Sequence, residues 1–191
     1  MNFSAVILAG GKSKRMGHDK TWLPVRGKPL IERQIECVRE LGAKEIFISG
    51  RAGTDYTPLK CSVLMDHFAD AGPLAGIERA LAAVSTPLLL VLAVDMPRMN
   101  SALLQMLLDN CTENCGAIPR CDNSLEPLAA IYPRSALSLV TQLLQSQRLA
   151  ARHFAERCVE LNLAGCIDLP QKYLENFKNW NTPSDISDVN D

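Results

Sequence analysis

The stretch LAGGKSKRMGHDK, residues 8–20, sets two adjacent glycines, Gly10 and Gly11, among Lys12, Lys14, Arg15 and Lys20. Glycines permit positive φ and let backbone N–H groups approach a ligand closely, while the cations add positive charge. A polyphosphate is the guest such a bend suits. Two common phosphate loops do not fit. A Walker loop ending at Gly11-Lys12-Ser13 requires glycine where Val6 stands, and a G-x-G-x-x-G fingerprint starting at Gly10 requires it where Lys12 stands. A plain basic surface turn is the alternative reading of the bend.

Asp95 is the second anchor, because it directly follows LLLVLAV, the most apolar segment of the chain. A carboxylate at a strand end suits Mg²⁺, a hard cation that takes one or two carboxylates and completes its shell with phosphate oxygens. The alternative is an aspartate that merely starts a turn before Pro97. Taken together, a phosphate cradle and a metal-holding carboxylate indicate chemistry on a nucleoside triphosphate. The three histidines, His18, His67 and His153, follow no catalytic spacing. Positioning and charge stabilisation, rather than a side-chain nucleophile, would therefore carry the reaction.

The elements that must hold these residues alternate along the chain. FSAVILA reads as a buried strand, and Ile31, Ile35, Val38 and Leu41 recur at helical spacing before Gly42, where a helix-ending glycine belongs. EIFIS and CSVLM are further strands. Leu74, Ile77, Leu81 and Val84 mark a second helix, LLLVLAV a fourth strand, and Ser101–Leu108 a third helix capped by Ser101. CGAIP and PLAAIY follow as strands, then helices over Arg134–Gln145 and Ala150–Arg157, and a last strand at CVELN. This alternation, with near-continuous apolar strands, predicts a three-layer α/β/α, Rossmann-like fold around a mainly parallel sheet. Ligands of such sheets bind beyond the carboxyl ends of the strands. The residues expected to converge there are Gly10, Gly11 and Arg15 after the first strand, Ser49 and Arg51 after the second, Asp66 after the third, and Asp95 after the fourth.

Composition bounds the partners. The 191 residues suit one domain, residues 1–191, and 47% are apolar. Twenty basic against 21 acidic residues leave a net charge of −1, so no global field draws the chain to nucleic acid or a membrane. No apolar run approaches the ~20 residues of a membrane span, and no signal-peptide pattern opens the chain. The seven cysteines form no CxxC pair. They read as free thiols of a cytoplasmic protein, although Cys111, Cys115 and Cys121 could also be taken as irregularly spaced metal ligands. A monomer is the default.

These motifs resemble the MobA-type nucleotidyltransferases, the molybdenum cofactor guanylyltransferase family, whose signature is LAGGxSxRMGxDK. The likeness continues through RGKPLIER, DHFADAGPLAGIERAL, LAVDMP, EPLAAIYP and NWNTPSD, in order along nearly the whole chain. It implies a nucleotide-diphospho-sugar-transferase-like fold and transfer of GMP from GTP to molybdenum-bearing molybdopterin, with release of pyrophosphate. It further implies that Leu8, Ala9, Gly10, Gly11 and Lys20 contact GTP, that Asp66 contacts the nucleotide, and that Asp95 binds Mg²⁺. Asn179 and Asn181 would lie near the pterin. Ser49 stands where some members carry a nucleotide-contacting asparagine, and a serine hydroxyl offers a different hydrogen-bonding pattern. Cytidylyltransferases of the same superfamily generally read LAAG, so Gly10 and Gly11 favour the larger guanine.

On this reading, Arg15 and Lys20 stabilise charge on the departing pyrophosphate. Asp70 is as much a turn residue as a functional one. Gly72, Pro73 and Gly76 suit a helix start that could receive a phosphate, and packing explains Gly76 equally well. Asn181 either caps the NTPSD helix start or touches substrate. Arg148 and Arg152 are read as solvent-exposed, with guidance of the pterin phosphate as the alternative. Other cofactor-biosynthesis proteins are conceivable partners. The rival functions are a cytidylyltransferase for the same pterin, another small nucleotidyltransferase, and a non-catalytic GTP-binding module.

Overall fold

The computed structural model describes residues 1–10, 20–25, 27–68, 70–178 and 180. A strand covered on both faces needs apolar residues throughout, and Phe3–Leu8 meets that need with all six side chains buried; it is β1. A small hairpin, β2 (Pro24–Val25) and β3 (Lys28–Pro29), follows, with Gly27 at φ +81° in its turn. Helix α1 (Leu30–Glu40) buries Leu30, Ile31, Ile35 and Val38, and Gly42 takes the left-handed conformation just past its end. Next come β4 (Ile46–Ser49), β5 (Ser62–Leu64), α2 (Pro73–Ala83) and β6 (Leu88–Ala93), whose six residues are all buried. Each large aliphatic side chain so buried contributes about 1.5–3 kcal/mol.

Helix α3 spans Ser101–Asp109. Its cap is Asn100, whose side chain accepts from the Leu103 N–H, so Ser101 is the first helical residue rather than the cap expected from sequence. Strands β7 (Gly116–Cys121) and β8 (Ser124–Leu125) form a hairpin turned by Asp122 and Asn123, both at positive φ. Strand β9 (Ala129–Pro133) leads through a 3₁₀ turn at Arg134–Ala136 into α4 (Leu137–Gln145). Helix α5 covers Ala151–Glu160, and β10 is Ala164–Asp168. The expected strand at CVELN is therefore corrected. Phe154 and Cys158, four residues apart, bury the same helical face, so Cys158–Glu160 forms the last turn of α5. The apolar–polar alternation there mimicked a strand. A 3₁₀ segment, Gln171–Phe177, follows β10.

The sheet runs β10-β7-β9-β6-β1-β4-β5, with β8 on β7. Strands β1, β4, β5 and β6 pair in parallel, as do β7 and β10, while β9 runs antiparallel to β6 and β7. Helices α1 and α3 pack on one face; α2, α4 and α5 pack on the other. The three-layer, mainly parallel architecture is thus present. No helix among the described residues is long and apolar enough to cross a membrane.

At the amino edge of the sheet, polar side chains satisfy one another. Ser4 Oγ donates to Glu45 (2.7 Å), Ser85 N–H donates to the same carboxylate (2.9 Å), and Thr86 Oγ1 donates to Ser4 Oγ (2.9 Å). The Ser85 backbone bond is the main cause that lowers the Glu45 pKa.

Gly76 is where α2 meets the sheet most tightly. A Cβ there would lie 2.9 Å from Ser49 Cβ and 3.0 Å from Leu8 Cδ2. Packing therefore accounts for this glycine. Gly76→Ala is expected to cost about 1–3 kcal/mol through overpacking. Urea unfolding measures it: the midpoint should fall at unchanged slope, and an unshifted midpoint would show that α2 does not press on Ser49 and Leu8.

Candidate functional site

Parallel pairing brings four strand ends level. Leu8 is opposite Ser49 and Ala93, and Ser49 is opposite Leu64. The ladder runs one residue further: Ala9 N–H donates to Ser49 O (3.0 Å), Gly50 N–H to Leu64 O (3.1 Å) and Val94 N–H to Leu8 O (3.2 Å). Two residues past that line stand Asp66, Arg51, Gly10 and Asp95. Adjacent strands lie ~4.8 Å apart, so this row spans roughly 14 Å from Asp66 to Asp95, with Gly10 inside it.

At one end of the row, Ser49 Oγ donates to Asp66 Oδ1 (3.4 Å). Ser49 is buried and Asp66 exposed. Neighbouring protein atoms still desolvate the carboxylate, and this is the main cause that raises its pKa. The Ser49 bond opposes the rise, Glu78 adds to it, and His67 opposes it. Ser49 and Asp66, expected to converge, are thus in direct contact. Helix α2 begins beside them at Gly72-Pro73, with no side chain capping its first amides. Asp70 lies in the preceding turn at φ +56°.

At the other end, the turn carrying Asp95 is clamped from two directions. Trp180 N–H donates to Asp95 O (3.0 Å), and Gln34 Nε2, from α1, donates to Met96 O (2.7 Å). Asn176 Nδ2 donates to Arg98 O (2.6 Å), and Arg98 pairs with Glu175 (2.6 Å). Sequence reasoning missed Gln34, although a glutamine on the apolar stripe of α1 was a signal.

Between these ends, Leu8 O and Ala9 N–H are taken up by the sheet. The Gly10 N–H is the first amide past β1 with no acceptor among the described residues. Gly10 does not use positive φ, contrary to the freedom expected of it. A Cβ there would meet nothing closer than 3.7 Å among the described residues. Neither backbone strain nor packing against those residues therefore demands this glycine.

Lys20 opens a short 3₁₀ turn, Lys20–Trp22, of which the lysine side chain is not described. Trp22 stacks on Tyr56 (centroids 6.2 Å), and Tyr56 in turn lies against Gly50, where a Cβ would come within 2.7 Å of its ring. This contact ties the turn to the end of β4. Gly11, Arg15, Asn179 and Asn181 lie outside the described residues. A cavity of about 510 Å³, lined in part by Arg51, Tyr56, Cys61 and Met65, opens beside edge strand β5 and includes none of Gly10, Ser49, Asp66 and Asp95. Sequence reasoning gave no hint of it. Arg148 and Arg152 are exposed, as expected. All seven cysteines are unpaired.

The raised pKa of Asp66 means that its charge opposes folding. The penalty is absent below the ordinary aspartate pKa, grows as pH rises towards the folded-state value, and is full above it. Asp66→Asn should therefore melt higher than the parent chain at neutral pH, and the two should converge in acid. Thermal melts across pH check this; a variant that melts lower at pH 7 would show that Asp66 is structural.

Residues 5–161 match the MobA-like NTP transferase domain family. A protein of Opitutus terrae named "Probable molybdenum cofactor guanylyltransferase" is 37% identical, over 95% of this chain and 92% of its own length. The molybdenum cofactor guanylyltransferase of Xanthomonas euvesicatoria pv. vesicatoria is 30% identical, over 97% of this chain and 93% of its own. Among solved structures, the molybdopterin-guanine dinucleotide biosynthesis protein A of Archaeoglobus fulgidus superposes with a TM-score of 0.76 at 25% identity, covering 97% of this chain and 96% of that one. With residues 5–161 matching the family and curated relatives aligned over nearly its whole length, the chain belongs to the MobA-like NTP transferases, a family of nucleotidyltransferases.

Proposed function

We propose that this protein transfers GMP from GTP to molybdopterin bearing molybdenum, forming the guanine dinucleotide and releasing pyrophosphate. One observation carries the reading: the register that aligns Asp66, Gly10 and Asp95 along one edge, in a chain whose relatives are named for this reaction. GTP lies along the row, its base towards Ser49 and Asp66 and its phosphates over Gly10. The uncapped amides of α2 border the same end.

Among the described residues, no group of three or more His, Cys, Asp or Glu is arranged to hold a metal ion. A single carboxylate fits Mg²⁺, which completes its shell with substrate phosphates and water. Asp95 is the residue that would hold it. When bound, the ion offsets negative charge on the triphosphate.

In the transfer, an oxygen of the terminal phosphate of molybdopterin attacks the α-phosphorus of GTP. A new P–O bond forms as the bond from the α-phosphorus to the bridging oxygen breaks, and pyrophosphate leaves with the electron pair. The attacking oxygen is already ionised, so no general base is needed. The Gly10 N–H, with that of Gly11, orients the phosphates, and Arg15 and Lys20 stabilise the charge that develops on the leaving group. Asn179 and Asn181 are assigned to the pterin side.

The Cβ-sized space at Gly10 bears on the choice of base. A side chain there would lift the phosphates and shift the base with them, so glycine lets the larger purine seat at Ser49 and Asp66. Gly10→Ala should fold normally and lose preference for GTP over CTP. Asp95→Ala should abolish Mg²⁺-dependent turnover with the fold intact. Pyrophosphate release from competing GTP, CTP, ATP and UTP, with molybdenum-loaded molybdopterin as acceptor, measures both. A parent chain preferring CTP, or a fully active Asp95→Ala, would defeat the proposal. A chain that binds GTP but never forms the dinucleotide would be a nucleotide-binding module.

A further inference from the structure

Three successive residues, Glu126-Pro127-Leu128, are fixed through their backbones, yet the one charge among them makes no hydrogen bond to the described residues. Glu126 N–H donates to Pro119 O (2.9 Å), the hydroxyl of the fully buried Tyr132 donates to Pro127 O (2.9 Å), and Ala93 N–H donates to Leu128 O (2.7 Å). These bonds tie the segment to β7, β9 and β6. Ala93 is the last residue of β6, two before Asp95, and Leu128 is two past Glu126, so both acidic residues lie just beyond the same β6–β9 hydrogen bond. Relative to Asp95, Glu126 lies on the side away from Ser49 and Asp66.

The Glu126 carboxylate accepts no hydrogen bond among the described residues, although the side chain is partly buried. Desolvation pushes its pKa up, and the Arg152 guanidinium opposes the shift. Arg152 is anchored by donating to Ser124 Oγ on β8. On the other side lies Cys121, whose thiol pKa is pushed up to about 12 by burial first and by Glu126 and Asp122 after it. The carboxylate is thus half-buried on a fixed backbone, with its acceptor capacity left to solvent or a ligand. At the carboxyl edge of an α/β sheet, such a residue marks a ligand position.

The ligand that relieves this carboxylate presents two adjacent N–H donors on a flat, neutral edge. Guanine and pterin rings both have one: a ring N–H beside an exocyclic amine. The location distinguishes them, because the GTP row lies on the far side of Asp95. We propose that Glu126 recognises the acceptor, accepting two hydrogen bonds from the pterin ring N–H and amine and directing the phosphate of molybdopterin towards Asp95. This rests on the guanylyl-transfer reading. Glu126 acts in binding; no bond of the transfer forms or breaks on it. Its locked backbone supplies the preorganisation that a recognition residue needs.

Glu126→Gln keeps the volume but replaces one acceptor oxygen with a donor amine. Fluorescence titration of molybdopterin with the full chain, without GTP, should show affinity weakened roughly ten- to hundredfold, the loss of a charge-assisted pair. In steady state, KM for molybdopterin should rise while KM for GTP stays within about twofold. The melting temperature should not fall, because the desolvated charge is gone. Glu126→Asp, which keeps the charge on a shorter arm, should recover part of the affinity. Unchanged molybdopterin affinity, an equal loss for GTP, a lower melting temperature or no recovery with aspartate would each overturn the assignment. A parent chain that binds molybdopterin through Glu126 yet makes no dinucleotide would defeat the guanylyl-transfer reading and leave this one standing. No affinity of the parent chain for molybdopterin would defeat both.

Discussion

Leu8 pairs with Ser49 on one side and Ala93 on the other, and the amides of Ala9 and Val94 carry the same ladder one residue further. A slip of one residue in either pairing would turn every buried side chain of β1 to the opposite face. With Phe3, Ala5 and Ile7 in one core cluster and Val6 and Leu8 in the other, that slip exchanges residues between two differently packed layers. The hydrophobic effect therefore sets the register, and the register sets which polar residues emerge together at the edge. Gly10 and Asp95 follow adjacent strands buried on both faces, and Asp66 follows edge strand β5, two strands along from β1.

The two edges of the sheet treat polar groups in opposite ways. At the amino edge Ser4, Glu45, Ser85 and Thr86 bond to one another and close the sheet off. At the carboxyl edge, Asp66 and Glu126 are held in places that disfavour their charge, and the Gly10 amide has no acceptor among the described residues. The backbone around them is secured: Gln34 and Trp180 hold the Asp95 turn, and Tyr132 holds the segment after Glu126. The backbone supports are bonded, while the polar groups at this edge keep hydrogen-bonding capacity that the described residues do not use.

Much of this was legible in the sequence because it depends on local pattern. Continuous apolar runs gave β1 and β6, helical spacing gave α1, and Gly42 gave its end. The strand-end rule named Ser49, Asp66 and Asp95 as neighbours before any coordinate. What stayed hidden depends on contacts between distant segments. The bond from Gln34 to Met96 joins residues 62 apart, and the glutamine's place on an apolar stripe signals burial without naming its partner. Glu126 reads as one acidic residue among many until its empty carboxylate and pinned backbone are seen together. The error at CVELN is of another kind: Cys158 and Val159 satisfy both a strand and a helix locally, and packing of Phe154 and Cys158 against the core decides for the helix. Gly10 departs from expectation in one respect: its φ is not positive, and a Cβ there would meet no described neighbour closer than 3.7 Å.

Crystals grown with Mn²⁺ in place of Mg²⁺ and a non-hydrolysable GTP analogue put the shared edge to its most direct trial. The anomalous signal of manganese should fall within coordination distance of the Asp95 carboxylate, about 2.0–2.3 Å, with the triphosphate lying over Gly10 and the base between Ser49 and Asp66. Manganese bound away from Asp95, or a nucleotide seated elsewhere than along that row, would contradict the alignment of strand ends as the source of the site.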